Sequence, residues 1–363
     1  MHSLDVTTTS IALEAVECSN RCRHCEVSYG PRRRHLSRDE IRSWADEIRR
    51  QTELLGVQVE VGLNNSEMLD HPQWREILAD SGRDKLGRAF ATNGRRIARE
   101  PQLIEELTER GVEWLQLTLG GGSAETHDEF ARRPGALDDI VTTAKIAHAA
   151  GVHVYWNYIA YRPLSEIARM SDLAKSISGP FADGRFDHKG GIDQGIMLVK
   201  PQGEGTKMEH LRPARADLAE LPEWAGVARF GTWFGAGCET EGELVNALCH
   251  TDRRVGCLEQ GHPECGGCWL VACRNGDIYP YCHERRPAYL LGNPITGGLR
   301  SILERLSGDN PPPALAIRRR GLAELAAHYG DPAGGKLHSG CSLCRTLVSR
   351  ALARESIRSE GHG

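Results

Sequence analysis

Apolar positions in the first 200 residues switch between two periods. Short runs at Ser10–Val16 (SIALEAV), Val57–Gly62, Leu86–Ala91, Trp114–Leu119, Val152–Ile159 and Ile196–Val199 read as buried strands. Between them, apolar residues recur at helical spacing over Ser37–Leu55, from Pro72 to Asp80, from Pro101 to Gly111, and over Leu137–Ala150 and Leu164–Ile177. Ser37 and Glu40 have the spacing of a capping box, with Leu36 and Ile41 placed as its hydrophobic staple. Pro101 suits a first helical turn, and Gly111 and Gly151 suit helix stops. About six β–α units predict a parallel sheet with covering helices. Six are too few for a closed eight-stranded barrel, so the expected fold class is α/β with a partial (β/α)6 TIM-like barrel.

The pattern breaks after Lys200. Residues 201–245 are rich in Gly, Pro and charge and read as a linker with some helix. Leu270–Ala272 and Asp277–Tyr279 flank Asn275-Gly276, a strong hairpin signal. Leu299–Leu306, Gly321–His328 and Cys341–Arg358 read as helices, with a stiff break at Asn310-Pro-Pro-Pro313. The expected division is a barrel over residues 1–200, a linker over 201–250 and a small cysteine-rich domain over 251–363.

Composition narrows the function. Acidic residues exceed basic ones by 49 to 45, for a net charge of −4, which excludes a dominant nucleic-acid or anionic-membrane surface. No run approaches the roughly 18 apolar residues of a membrane span. The start MHSLDVTTTS lacks a basic region followed by an apolar one, so no secretory signal and a cytoplasmic location are expected. Twelve cysteines are unevenly placed: three from Cys18 to Cys25 and nine from Cys238 to Cys344. In a reducing compartment such clusters point to metal or iron–sulfur binding rather than disulfides.

Cys18-Ser-Asn-Arg-Cys22-Arg-His-Cys25 is a CxxxCxxC element just after the first strand. Three thiolates on one short loop can hold three irons of a four-iron cluster and leave one iron open. Zinc is the alternative, with His24 or His35 recruited as fourth ligand. Gly120-Gly121-Gly122 lacks dinucleotide spacing, and no phosphate-binding loop sequence is present.

These residues resemble the radical S-adenosylmethionine (radical SAM) superfamily, which carries CxxxCxxC after strand one of a partial barrel. Further positions fit in order: Asn65-Ser66-Glu67-Met68-Leu69-Asp70-His71-Pro72 after strand two, Thr92-Asn93-Gly94 after strand three, and Thr118-Leu119-Gly120-Gly121 at strand four. Thr126-His127-Asp128 and the helix after Gly135 also look like the family, and the resemblance covers roughly residues 8–200. It implies that Cys18, Cys22 and Cys25 hold a 4Fe-4S cluster coordinated with exchangeable SAM, and that Glu67 accepts bonds from the methionine ammonium. Asn65 and Ser66 stand where the family has two glycines. Thr118 and Asn157 are candidates for the SAM carboxylate or ribose, or are satisfied by local backbone. Backbone beside His24 is a candidate for contact with the adenine.

The second cysteine field contains Cys257, Cys265, Cys268, Cys273 and Cys282, then Cys341 and Cys344. Val271-Ala-Cys-Arg-Asn-Gly276-Asp-Ile-Tyr-Pro-Tyr-Cys282 resembles the hairpin of SPASM and twitch extensions, as do Leu291-Gly292-Asn293-Pro294 and the helix that follows. The resemblance implies one auxiliary 4Fe-4S cluster on Cys265, Cys282, Cys341 and Cys344, with Cys257 or Cys268 as substitutes for Cys265. A zinc ribbon on Cys265, Cys268, Cys341 and Cys344 is the alternative. Cys238, Cys249 and Cys273 are then surplus: small buried side chains, a hydrogen-atom donor or ligands of a further cluster. Arg32-Arg33-Arg34 reads as a solvated face or a contact for an acidic peptide or redox partner.

The activity so implied is reductive cleavage of SAM to a 5′-deoxyadenosyl radical that abstracts hydrogen from a substrate. Expected partners are a peptide or small-molecule substrate and an electron donor such as flavodoxin or ferredoxin, with no nucleic acid and no membrane. A peptide or natural-product maturase is the first reading, an aminosugar-type dehydrogenase or epimerase the second. A non-catalytic iron–sulfur or zinc-binding protein is the reading from another class.

Overall fold

The computed structural model describes residues 8–14, 16–25, 35–62, 67–80, 89–179, 194–199, 203–221, 239–240, 268–280, 285–307, 311–318, 320–330, 337–338 and 340–360. The chain divides into two compact units. One comprises Met1–Ala15, His35–Ser66 and Glu239–Gly363, the other Val16–Arg34 and Glu67–Cys238.

The first unit is built on strands β1 (Thr8–Leu13) and β2 (Gln58–Gly62), joined through helix α1 (Arg38–Leu55). The α1 start follows its sequence: Ser37 Oγ accepts the Glu40 N–H at 3.2 Å, and the Ser37 N–H donates to Glu40 Oε2 at 2.7 Å. Ile41, Trp44 and Ile48 form the buried face of α1. β1 pairs parallel with β2 on one side. On its other side it pairs parallel with a strand far along the chain, Cys268–Ala272, in the register Thr9↔Cys268 to Leu13↔Ala272. That strand turns at Asn275-Gly276 and returns antiparallel as Ile278–Pro280. Gly276 sits at φ +86, a conformation costly for any side chain, and a Cβ there would stand 2.9 Å from Asn293 Nδ2. Asn293 in turn donates to the Asn275 carbonyl at 2.8 Å and pins the tip. The expected hairpin is therefore present, and its first strand extends the sheet of β1.

Later helices of this unit form at Leu299–Ser307, Pro313–Arg318, Leu322–Tyr329 and Gly340–Glu360. Tyr279, Tyr289, Leu325, Leu343, Cys344 and Leu347 close a core between the hairpin and the last three of these helices. Gln51 of α1 ties in the chain before the first of them, donating to the Pro294 carbonyl at 2.8 Å and accepting the Leu299 N–H.

The second unit holds the four-stranded all-parallel sheet β3 (Ala89–Thr92), β4 (Trp114–Leu119), β5 (His153–Ala160) and β6 (Gln194–Leu198), hydrogen-bonded in that order. Leu115, Leu117 and Leu119 alternate into the core from β4, facing Val154, Trp156 and Tyr158 along β5. The connections are helices, as parallel strands require: α2 (Trp74–Asp80), α3 (Arg95–Arg99), α4 (Leu103–Glu109), α5 (Ala124–Ala131), α6 (Ala136–Ala149) and α7 (Ser165–Ser178). The six expected strands all form, and they are shared between two sheets, two in the first and four in the second. Boundaries shift in places. The first strand begins at Thr8 instead of Ser10, and Pro72 lies in a turn ahead of Trp74, the first residue of α2. The short helices α3 and α5 have no counterpart in the periodicity. Residues 203–211 and 215–220 form 3-10 turns in the region read as a linker.

Candidate active site

The cysteine loop is anchored from three sides within the second unit. Its backbone pairs with the end of α5: the Arg21 N–H donates to the Ala131 carbonyl at 3.0 Å and the Arg23 N–H to the Phe130 carbonyl at 2.9 Å. Side chains reinforce the pairing, with Arg133 Nε donating to Asn20 Oδ1 at 2.5 Å and Arg23 paired to Glu129 at 2.7 Å. On a second side, the Glu204 N–H donates to the Cys25 carbonyl at 2.9 Å. Glu204 is itself buried and paired to Arg132 at 2.8 Å and Lys207 at 2.9 Å. Arg132 is the one described non-glycine residue at positive φ, 53°. That conformation costs about 1 kcal/mol or more, and it places the half-exposed Arg132 side chain against buried Glu204. On the third side, the Ser19 N–H donates to Asp70 Oδ2 at 2.7 Å.

Cys18, Cys22 and Cys25 are all half-buried and free of disulfides. Burial raises the Cys18 thiol well above its ordinary range, and Glu67 and Cys22 raise it further. Cys22 is pushed up to about 12 by burial and then by Cys25. Each thiolate would thus be opposed by its neighbours until a positively charged group shared them. Among the described residues, no three His, Cys, Asp or Glu side chains are drawn together tightly enough to grip a single metal ion. The donor set of three adjacent thiols fits a multi-iron cluster, whose irons are bound one per thiolate.

Glu67 follows β2 and opens the 3-10 turn Met68–Asp70. It is buried, and the Thr92 hydroxyl donates to both of its oxygens at 3.1 Å while the Asn93 N–H donates to Oε2. Burial, then the Asp70 carboxylate, push its carboxyl up to about 8. Burial and the half-buried Asp70 beside it oppose ionisation of Glu67, and a cationic neighbour would relieve that cost. Gly94 completes Thr92-Asn93-Gly94: it sits at φ +77, and Thr143 of α6 donates to its carbonyl at 2.7 Å. A Cβ at Gly94 would stand 2.9 Å from Thr143 Oγ1.

Thr118 and Asn157 are cross-strand partners, and Asn157 Nδ2 donates to Thr118 Oγ1 at 3.4 Å. His24 stacks on Phe130 at 4.9 Å between ring centres, and Phe130 stacks on Tyr161 at 5.6 Å. The glycine run after β4 serves close packing. A Cβ would fall 2.0 Å from the Phe130 ring at Gly120, 2.3 Å from Thr126 at Gly121 and 2.4 Å from Arg169 at Gly122. His127, buried in α5, accepts the Gly120 N–H at 3.2 Å on Nδ1, and burial lowers its pKa to about 4, so the ring is neutral.

The structure thus brings Cys18, Cys22, Cys25, Glu67 and His24 into the second unit together with Thr118 and Asn157. Asp70, Thr92, Asn93 and the Arg132–Glu204 pair were not singled out as individual functional residues from sequence. Thr92 and Asn93 stood in a legible tripeptide after a strand. The pairing of Arg132 with Glu204, 72 residues apart, left no local signal.

The second cysteine field is described only in part. Cys238, Cys249, Cys257, Cys265 and Cys282 lie outside the described residues, as do Arg32-Arg33-Arg34 and Asn65-Ser66. Cys268 begins the first hairpin strand and Cys341 lies in the first turn of the last helix, both described for the backbone alone. Cys344 is buried in the core of the first unit. Cys273 follows the first hairpin strand, half-buried; burial pushes its thiol up to about 12, with Glu14 adding to the shift and Arg285 opposing it.

The fold is a parallel α/β scaffold with a three-thiol loop and a buried carboxylate following its strands. Comparison with known proteins points to one superfamily: residues 15–172 match the model of the Radical SAM superfamily. An AdoMet-dependent heme synthase of Methanosarcina barkeri (strain Fusaro / DSM 804) is 26% identical over 211 residues, covering 57% of this chain and 54% of the synthase. The chain therefore spans about half the length of that curated relative. Among solved structures, Streptococcus suis SuiB bound to precursor peptide SuiA is similar with a TM-score of 0.53 at 17% identity, over 86% of this chain and 66% of SuiB. Native anSMEcpe with bound AdoMet is similar with a TM-score of 0.52 at 13% identity, over 98% of this chain and all of that one (100%). These structural likenesses show a shared fold. Among the described residues no helix is long and apolar enough to cross a membrane.

Proposed function

We propose that this chain is a radical SAM enzyme acting on a peptide or natural product, with Cys18, Cys22 and Cys25 holding the cluster. The observation that carries the reading is the loop of three adjacent thiols with buried Glu67 close to Cys18. A four-iron cluster held by these thiolates would supply the electron for reductive cleavage of bound SAM, the source of a radical able to take a hydrogen atom. The chain's own residues position and shield. Glu67, braced by Thr92 and Asn93, presents a carboxylate to the methionine ammonium. Thr118 and Asn157 offer a hydroxyl and an amide at neighbouring strand ends for the SAM carboxylate or ribose. The His24–Phe130–Tyr161 stack lends an apolar wall beside the cysteine loop for an adenine ring, and limits water there.

In the same reading, residues 251–363 hold an auxiliary 4Fe-4S cluster on Cys265, Cys282, Cys341 and Cys344, with Cys257 or Cys268 as alternatives to Cys265. A flavodoxin or ferredoxin supplies the reducing electron. The likeness of SuiB, solved with its precursor peptide SuiA, supports a peptide substrate. The sequence match to a heme synthase supports a second reading, a porphyrin-class small molecule. The two are separated by adding, to reconstituted protein with SAM and dithionite, either a synthetic peptide encoded beside its gene or an iron porphyrin. The peptide reading expects faster 5′-deoxyadenosine release and a changed peptide mass. Stimulation and mass change with the porphyrin alone would overturn it in favour of the second.

A further inference from the structure

Asn93 has a side chain that its place in the loop after β3 does not account for. Its Oδ1 accepts the Arg95 N–H at 2.9 Å, which starts α3. That bond fixes which end of the carboxamide is which: the opposite end must be the NH2 donor. Nδ2 faces three acceptors, Ser19 Oγ at 3.2 Å, Asp70 Oδ2 at 3.3 Å and Cys18 Sγ at 3.4 Å. Asp70 Oδ2 also takes the Ser19 N–H at 2.7 Å. The Cys18–Ser19 corner is thus gripped from two separate elements, the turn after Glu67 and the loop after β3. A residue needed only to start α3 would use its Oδ1 and leave Nδ2 to solvent. Here the amide is half-buried and turned toward sulfur.

We propose that Asn93 is a positioning residue that donates an N–H···S hydrogen bond to the Cys18 thiolate and tunes the reduction potential of the cluster, with Asp70 holding the amide in line. The inference rests on the reading of Cys18 as a cluster ligand. Its physical basis is the charge of the sulfur. A donated hydrogen bond withdraws electron density, and reduction adds negative charge to the cluster and its sulfurs. The bond is therefore stronger in the reduced state and favours it. Removing it makes the cluster harder to reduce.

The test uses the full chain, reconstituted with iron and sulfide without oxygen, as wild type, Asn93→Ala and Asn93→Ser. Two quantities are read: iron per chain, and the midpoint potential of the SAM-cleaving cluster from an EPR-monitored redox titration. Serine keeps a short acceptor for the Arg95 N–H and cannot reach Cys18, so it separates helix capping from the sulfur bond. The expected result is wild-type iron content in both variants. The equilibrium constant for reduction falls about tenfold, a midpoint about 59 mV more negative for one electron. An unchanged midpoint in both variants at full iron content would overturn the inference. So would a wild-type midpoint in Asn93→Ser with iron lost only from Asn93→Ala, the mark of a purely structural role. Wild-type protein that binds no iron would instead overturn the cluster reading beneath it.

Discussion

In the proposed site, Glu67 is the buried side chain on which Thr92, Asn93 and Asp70 converge. Its carboxyl is pushed up to about 8 by burial and by Asp70, while Thr92 and Asn93 hold it in one orientation. Glu67→Gln keeps the shape and one acceptor oxygen and removes the charge. With iron retained, SAM affinity is expected to fall roughly tenfold to hundredfold, the worth of a hydrogen bond to a charged group. Calorimetric titration of SAM into reconstituted variant and wild type checks it. The same substitution has a consequence for the metal-free chain. Between the ordinary carboxylate pKa of 4.5 and about 8, native Glu67 keeps a proton that the unfolded chain has lost. Stability therefore falls as pH rises through that window, and urea titrations should show this slope shrink in Glu67→Gln. At this scale the three cysteines stood out by their local spacing, and Glu67 only through the resemblance of Asn65–Pro72 to the superfamily's strand-two element. Asp70 and Arg132 were not, because their roles depend on partners brought in by the fold.

Among the elements, α5 does the most to build the site. It receives the cysteine loop on its last carbonyls, stacks Phe130 between His24 and Tyr161, and accepts the Gly120 N–H on His127. Its sequence, Ala124–Ala131, is too short to show a helical period, which is why periodicity missed it. The glycine run that packs against it was legible as something other than a nucleotide loop, and its reason is steric. Gly120→Ala places a methyl 2.0 Å from the Phe130 ring. Overpacking of this kind is expected to cost about 1–3 kcal/mol. Adding Phe130→Leu should recover part of that loss, so the double variant is more stable than the two single losses predict. Urea unfolding of the four proteins measures the coupling, and strict additivity would mean that Gly120 is not held by Phe130. The elements α1 and β4 were readable from a capping box and an alternation, and α6 from its apolar period ended at Gly151.

For the molecule as a whole, the order of motifs was more informative than any one of them. A cysteine loop, an acidic strand end and a Thr-Asn-Gly strand end follow one another in β–α phase, and the matched superfamily domain covers the same stretch. Sequence pattern could not foresee that the late hairpin strand Cys268–Ala272 pairs with β1, since strand neighbours far apart in the chain leave no shared period. The three-thiol loop is where the proposed chemistry stands or falls. Wild type and Cys22→Ala are reconstituted without oxygen, given SAM and dithionite, and assayed for 5′-deoxyadenosine, with iron and zinc counted on the same samples. About four irons in the SAM-cleaving cluster and steady deoxyadenosine release are expected in wild type, both lost in Cys22→Ala. Zinc in place of iron, with no deoxyadenosine from wild type, would contradict it and leave a metal-stabilised binding protein.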